Sequence, residues 1–250
     1  MLSVIVLPGA SLLPGSAERR RARARGLIGR SIARFARLMR ALGVLTYEIE
    51  GADRLGRPGQ LIIANHPTLI DGVFLLAVTP QSTCIVKAAL ARNLFTRGPI
   101  AAAGYVSNSP TDVMIEGAAA ALRAGGSMLM FPEGTRTKQP GGTPQFQRGA
   151  AAIALRAAKV VTPVFIRCDP PTLAKGDPWY RVPVRRPHFS LRVGADLDPE
   201  PFRRGAPQPI AAREFNEQLL RVFRTELDRT ELERAKLDQA KLDPADGTTG

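Results

Sequence analysis

The sequence predicts an α/β fold: a single domain with a mixed, largely parallel sheet flanked by helices and preceded by an N-terminal basic amphipathic helix. Three observations predict it. Short apolar runs typical of strands fall at residues 45–49, 61–64, 83–86, 127–131, 160–167 and 189–193. Ala- and Leu-rich stretches of helical composition lie between several of them, at 73–77, 115–123 and 150–158, the alternation expected of a sheet covered on both faces. Ahead of the first run, residues 17–42 carry Ile28, Ile32, Phe35, Met39 and Leu42 at three- and four-residue steps.

Taken in order, residues 1–13 are apolar but too short to span a bilayer and are interrupted by Pro8 and Gly9. The arginines follow this stretch rather than precede it, which is not the layout of a secretory signal. The segment reads as the start of a cytoplasmic-side protein or, if translation begins upstream, as the end of a longer spanning helix. Every charged residue from Arg19 to Arg40 is an arginine, so the helix at 17–42 is basic as well as amphipathic. Such a helix lies in a headgroup plane, or packs its stripe on the domain and leaves the basic face in water.

Within the strand at 160–167, Pro163 lacks an N–H for the ladder and predicts a sheet edge or a bulge. Residues 139–144 and 169–187 are rich in Pro and Gly and read as surface loops; Trp179 and Tyr180 in the second are interface aromatics or buried loop anchors. A last helix at 213–227 carries Phe215, Leu219, Val222 and Phe223 on one stripe. Beyond it the near-repeat AKLDQAKLD and the ending PADGTTG have little apolar surface to pack. The chain therefore divides into a membrane-associating segment, 1–42, a domain, 43–228, and a charged, disordered tail, 229–250.

A formal charge of +13 calls for an anionic partner, and its concentration in the N-terminal helix favours a lipid surface. No nucleic-acid recognition motif accompanies the arginines, so no nucleic acid is expected. Cys84 and Cys168 are the two cysteines and His66 and His188 the two histidines, which excludes a disulfide framework and a multi-histidine metal centre. No phosphate-cradling glycine loop or serine nucleophile elbow occurs, and neither a metal nor a bound cofactor is expected.

The chemistry concentrates in two places. Residues 61–71, LIIANHPTLID, run from an apolar strand straight into a polar turn. In a helix, residues five apart differ by about 140° around the axis, so His66 and Asp71 can meet only across a turn. Pro67 disfavours the α conformation at His66, and Thr68 is a candidate cap for the next helix. An Asp on one ring nitrogen fixes the tautomer and leaves the other nitrogen to take a proton from an alcohol. Without a nucleophile motif, the simplest chemistry is attack by an external hydroxyl on an activated carbonyl. A lone His near an Asp is more often structural, so the neighbouring motif decides.

That motif is FPEGTR at 131–136, a second strand tip opening into a polar loop; two such tips in an α/β sheet commonly share one crevice. Arg136 presents a planar fork for a phosphate or carboxylate, Gly134 admits backbone N–H groups to an anion, and Glu133 is placed to hold the fork.

HPTLID followed by FPEGTRT resembles the glycerophospholipid acyltransferase family, typified by lysophosphatidic acid acyltransferases, with its HxxxxD and EGTR boxes over roughly residues 45–167. The resemblance implies that His66 is the general base, Asp71 its partner, and Glu133, Gly134, Thr135 and Arg136 the binders of an acceptor phosphate. Acyl-CoA or acyl-ACP would be the cosubstrate, a lysophospholipid of 1-acyl-sn-glycerol-3-phosphate type the acceptor, and the cytoplasmic face of the inner membrane the location, held peripherally or monotopically. Two looser boxes give candidate lining for the acceptor or acyl site: Gly104, Tyr105 and Asn108 in GYVSN, and Thr162 and Pro163 in VTPV. Many members carry a basic residue near the place of Asn108. That departure keeps open another lysolipid, such as a lyso-ornithine lipid or a polyene or glycolipid acceptor, and a non-catalytic lipid-binding protein.

Overall fold

The first helix, α1 (Ala17–Ala41), begins at Ser16, whose side chain accepts the Arg19 N–H at 3.3 Å, and it carries Glu18 in its first turn and Arg40 in its last, both matched to the helix dipole. The structure is a computed structural model describing residues 15–137, 144–178, 180–205 and 207–242. The expectations for residues 1–13, for 139–143, for Trp179 and for 243–250 lie outside the described residues. Gly29 lets α1 lie directly on the chain after the second helix, because a Cβ there would stand 2.4 Å from the Cβ of Pro80. The expected apolar stripe is divided. Ile28 and Ala36 are buried and Ile32 and Met39 pack partly against the cores, while Phe35 and Leu42 face outward with Leu38.

The remaining elements are β1 (Thr46–Glu50), β2 (Gln60–Ala64), α2 (Asp71–Val78), β3 (Thr83–Val86), α3 (Ala88–Arg92), α4 (Arg97–Ala103), β4 (Val106–Ser107), α5 (Thr111–Arg123), β5 (Met128–Met130), α6 (Gly149–Ala157), β6 (Val160–Asp169), β7 (His188–Val193), α7 (Glu200–Gly205) and α8 (Gln208–Leu242). The strands form one seven-stranded sheet in the order β1-β7-β6-β2-β5-β3-β4. All neighbouring pairs are parallel except β6 and β7, so the sheet is mixed and largely parallel, as the sequence predicts.

The period of two along the strands sorts side chains between two cores. Leu61, Ile63, Met128 and Met130 point to one face, packed with Met114 and Leu122 of α5, Ile153 of α6, and Phe215, Leu219 and Phe223 of α8. Ile62, Ala64 and Leu129 point to the other, under Phe74 and Leu75 of α2 and Ala36 of α1. Such a strand, buried on both sides, reads in sequence as a continuous apolar run, and LIIA is one.

The sequence misses the short helices α3, α4 and α7. Pro99 hides α4: it stands in the first turn, where an N–H has no helical partner to lose. Pro163 is not at an edge, since β6 lies between β2 and β7. Its missing N–H falls where the pairing slips by one residue, between the pair Val164–Val193 and the bridge Val161–Leu197, so the bulge is on the strand opposite.

Nor does the chain lose its structure at 229. α8 continues to Leu242, because the stretch has no Gly or Pro and is laced by Arg229, paired with Glu226 at 2.8 Å and with Glu233. Arg167 of β6 also holds the helix, bonding the Thr230 carbonyl at 3.2 Å.

Candidate active site

Five parallel strands end at one edge of the sheet, and the two motifs meet there. In β2 and β5 Ile63 is paired with Met130, so His66 and Glu133, each three residues further, emerge level with one another. Asn65 makes the departure of β2 possible. Its amide donates to the Ile166 carbonyl at 2.8 Å and accepts the Ile166 N–H at 2.7 Å, so a side chain completes the ladder with β6 while the backbone turns away.

The turn at 67–70 returns Asp71 beneath the imidazole. His66 Nδ1 donates to Asp71 Oδ2 at 2.8 Å, leaving Nε2 as the proton acceptor. Thr68 is not a helix cap; it serves the carboxylate, its N–H donating to Oδ2 at 2.7 Å and its hydroxyl to Oδ1 at 2.6 Å. Asp71 is fully buried, and desolvation pushes its carboxyl above the usual range against the pull of its His66 and Thr68 bonds. The ring of His66 stacks on Phe131, with centroids 4.2 Å apart, which fixes its second face.

Glu133 does not hold Arg136. One of its oxygens accepts the His66 N–H and the Thr137 hydroxyl, both at 2.9 Å, and the Thr137 N–H returns to the His66 carbonyl at 2.8 Å. The acidic residue of the second motif is therefore the bracket for the backbone of the first. Gly134 lets the loop turn: its φ is 66°, and a Cβ would stand 2.8 Å from the Gln147 amide. Arg136 reaches across to the chain after β6, its Nη1 donating to the Leu173 and Ala174 carbonyls at 2.8 and 2.7 Å. Leu173, at φ 52°, also accepts the Leu69 N–H at 3.1 Å, so the guanidinium latches that loop to the catalytic turn.

Burial raises the Glu133 carboxyl, an effect its two hydrogen bonds oppose. A carboxyl raised in the folded state contributes stability that is complete below the ordinary carboxylate range and is lost as pH rises through the raised value. Glu133→Gln removes that loss while keeping an acceptor oxygen for His66. Its denaturant midpoint is therefore expected to fall less than the wild type's between acid and neutral pH, with activity within about tenfold. Glu133→Ala leaves the His66 N–H unpaired and should cost about 1–3 kcal/mol, or roughly ten- to a hundredfold in kcat.

Thr135 lies in the same loop. Asn108 is at the same edge but three strands away, where its side chain accepts the Ala88 N–H at 2.9 Å and joins β4 to α3. The other candidates are elsewhere. Gly104 closes α4, and Tyr105 packs partly buried against the α1 side of the sheet. Thr162 pairs with Ile62, about 13 Å below His66 at strand rise, and its hydroxyl is spent on Gln60, Arg57 and Asp196. Pro163 sits beside it in the interior of the sheet. Sequence reasoning missed Asn65, Phe131, Thr137 and Leu173; only the Asn beside the His carried a visible signal, a polar residue closing an apolar strand.

A cleft of about 750 Å³ opens beside the catalytic turn, running from Asn65, Pro67, Thr68 and Thr137 across β6 and β7 to Arg229 of α8. Both thiols are ill suited to attack: burial pushes Cys84 and Cys168 up to about 12. An imidazole steadied by a buried carboxylate at the strand ends of an α/β sheet has the arrangement that general-base chemistry requires.

Residues 46–167, the span that holds both motifs, match the family model described as Acyltransferase, and the chain carries an acyltransferase domain there. No curated protein matches the sequence. Among solved structures, the fold is similar to that of the 1-acyl-sn-glycerophosphate (LPA) acyltransferase PlsC from Thermotoga maritima, with a TM-score of 0.63 at 20% identity over 90% of this chain and 87% of that one.

Proposed function

We propose that the enzyme moves a fatty acyl group from an acyl-CoA or acyl-carrier-protein thioester to the hydroxyl of a lysophospholipid of the 1-acyl-sn-glycerol-3-phosphate type. The observation that carries this reading is the 2.8 Å bond from His66 Nδ1 to a fully buried Asp71, level with the loop of Arg136. His66 Nε2 takes the hydroxyl proton as the oxygen attacks the thioester carbonyl. The tetrahedral intermediate collapses with loss of the thiolate, to which the imidazolium returns the proton. The carboxylate of Asp71 steadies the imidazolium between the two steps.

Arg136 supplies the acceptor's anion site in this reading. Among the described residues its hydrogen bonds use only Nη1, so the rest of the fork faces a phosphate without giving up the loop. Arg136→Ala is expected to raise KM for a lysophosphatidate acceptor by about ten- to a hundredfold. A neutral-headgroup lysolipid run beside it separates anion binding from the latch, because loss of the latch alone would raise both KM values equally.

The enzyme works at the cytoplasmic face of the inner membrane as a peripheral or monotopic protein. Supporting this are the arginines of α1 and its outward Phe35, Leu38 and Leu42; among the described residues no helix is long and apolar enough to cross a membrane. Purified enzyme with labelled acyl-CoA and acyl-ACP and a panel of lysolipids tests the reading. Acylation of lysophosphatidate supports it. Transfer only to a lyso-ornithine lipid or a glycolipid would move the substrate class, and no transfer with any pair would leave a lipid-binding protein.

A further inference from the structure

We propose that the cleft beside the catalytic turn is a headgroup subsite, so that the enzyme acylates lysophospholipids whose phosphate carries a neutral polyol; this rests on the lysophospholipid reading above. Arg136, the anion site of that reading, stands at its mouth. Thr137, next along the chain, and Ala174, whose carbonyl accepts from Arg136 at 2.7 Å, both line the cleft. At about 750 Å³ the space is of the size that holds a whole small molecule, far more than a phosphate on one guanidinium needs.

The floor shows what the space is built for. Three strands run side by side there in the order β1-β7-β6, and the register puts Arg167 of β6 opposite Ser190 of β7, which in turn is opposite Glu48 of β1. Residues opposite one another share a face, so a guanidinium, a hydroxyl and a carboxylate form one row about 10 Å long. Ser190 donates to Glu48 at 3.0 Å, and Arg167 bonds the Thr230 carbonyl of α8, which walls the cleft. The row starts at the catalytic turn: Arg167 lies three residues beyond Val164, the partner of Ala64, and Pro67 lies three beyond Ala64. On their other face the same strands carry Ile166, Leu191 and Ile49 toward the core, so the polar row is confined to the face that lines the cleft.

Charge selects the occupant. The lining carries Arg167, Arg192 and Arg229 against Glu48, Glu50 and Glu233, so it is neutral as a whole. Arg192 and Arg229 pair with Glu226, whereas Arg167 bonds a carbonyl and has no carboxylate partner among the described residues. Arg167 is thus placed to share the charge of a phosphodiester with Arg136, and the hydroxyl and carboxylate beyond it match the alcohols of a polyol. A bare phosphate leaves Ser190 and Glu48 without a ligand. A short cationic headgroup meets the Arg167 guanidinium before it reaches Glu48 and is repelled.

The full-length enzyme tests this with lysophosphatidate and with lysolipids bearing glycerol, inositol or ethanolamine headgroups, all of one chain length in the same detergent micelles. kcat/KM for the glycerol or inositol acceptor is expected to match or exceed that for lysophosphatidate, with ethanolamine about tenfold below the polyols. Ser190→Phe, which fills the row, should lower the ratio of polyol to lysophosphatidate kcat/KM by about tenfold or more. Glu48→Gln, at an exposed position on an edge strand, keeps the shape and should lower the same ratio by about three- to tenfold. Saturable binding of glycerophosphoinositol, which has no acyl chain, reports the subsite without catalysis and should weaken by about threefold or more in Glu48→Gln. Transfer to lysophosphatidate alone, an ethanolamine headgroup served as well as the polyols, or a ratio unchanged in both variants overturns the proposal. If the wild type acylates no acceptor yet binds glycerophosphoinositol in a way that depends on Glu48, the catalytic reading fails and the subsite stands.

Discussion

Replacing His66 by alanine is expected to lower kcat for acyl transfer by about 10²- to 10⁴-fold, with KM for both substrates changed by less than about threefold. The expectation follows from how the residue is held. Its backbone is fixed by Glu133 and Thr137, on either side of the peptide, and its ring by Asp71 and Phe131. Deleting the ring leaves the backbone bracket standing, so the fold and the binding surfaces persist while the acceptor hydroxyl loses its base. Among the described residues the cysteines and the second histidine offer no substitute: both cysteines carry thiols pushed up to about 12, and His188 bonds Thr46 on the far side of β6. Single-turnover kinetics on the purified variant measure the effect directly. A variant within tenfold of the wild type would assign the proton to another group and leave the pair at 66 and 71 a structural one.

The second large effect is expected at Asp71, where two substitutions separate orientation from charge. Alanine removes the acceptor of the Thr68 N–H and hydroxyl as well as the imidazole's anchor, and should cost about 10²- to 10³-fold in kcat. Asparagine fits differently. With its oxygen toward His66 and the Thr68 N–H, its NH₂ meets the Thr68 hydroxyl oxygen, which can accept, so every hydrogen bond and the tautomer survive. What it lacks is the negative charge that steadies the imidazolium, and a loss of about tenfold to a hundredfold in kcat is expected.

The pH dependence of stability at this position has a definite sign. Desolvation raises the Asp71 carboxyl, so its part of the wild-type stability is whole below the ordinary carboxylate range and is lost as pH rises through the raised value. Asparagine is exempt from that loss. Urea midpoints compared from acid to neutral pH should therefore move in favour of Asp71→Asn, while the same variant is the poorer enzyme; a variant-minus-wild-type difference that stays constant or falls as the pH rises would refute the assignment.

Much of this was legible because strand and turn are local properties. LIIA declares a strand covered on both faces, Pro67 declares the turn, and the spacing of His66 and Asp71 makes sense only across it. The split of the α1 stripe was not legible, since which of two adjacent apolar faces is buried depends on Pro80 and the α2 connection beneath Gly29. The partner of Glu133 was hidden for the same reason. Three residues from Arg136, it looks like half of an ion pair, yet it turns to a backbone N–H that β2 delivers from 67 residues away.

By itself the sequence determined the alternation of strands and helices, the pairing of His66 with Asp71 and the acyltransferase character of the domain, all properties of short stretches whose conformations are set by neighbours along the chain. Only the tertiary structure decided that Thr162 and Pro163 lie below the site, that Arg136 latches the loop after β6, and that the three basic, apolar segments 34–44, 87–97 and 180–187 line one edge. These depend on strand order and register, and strand order is a matter of which distant surfaces exclude water together, which no local pattern records.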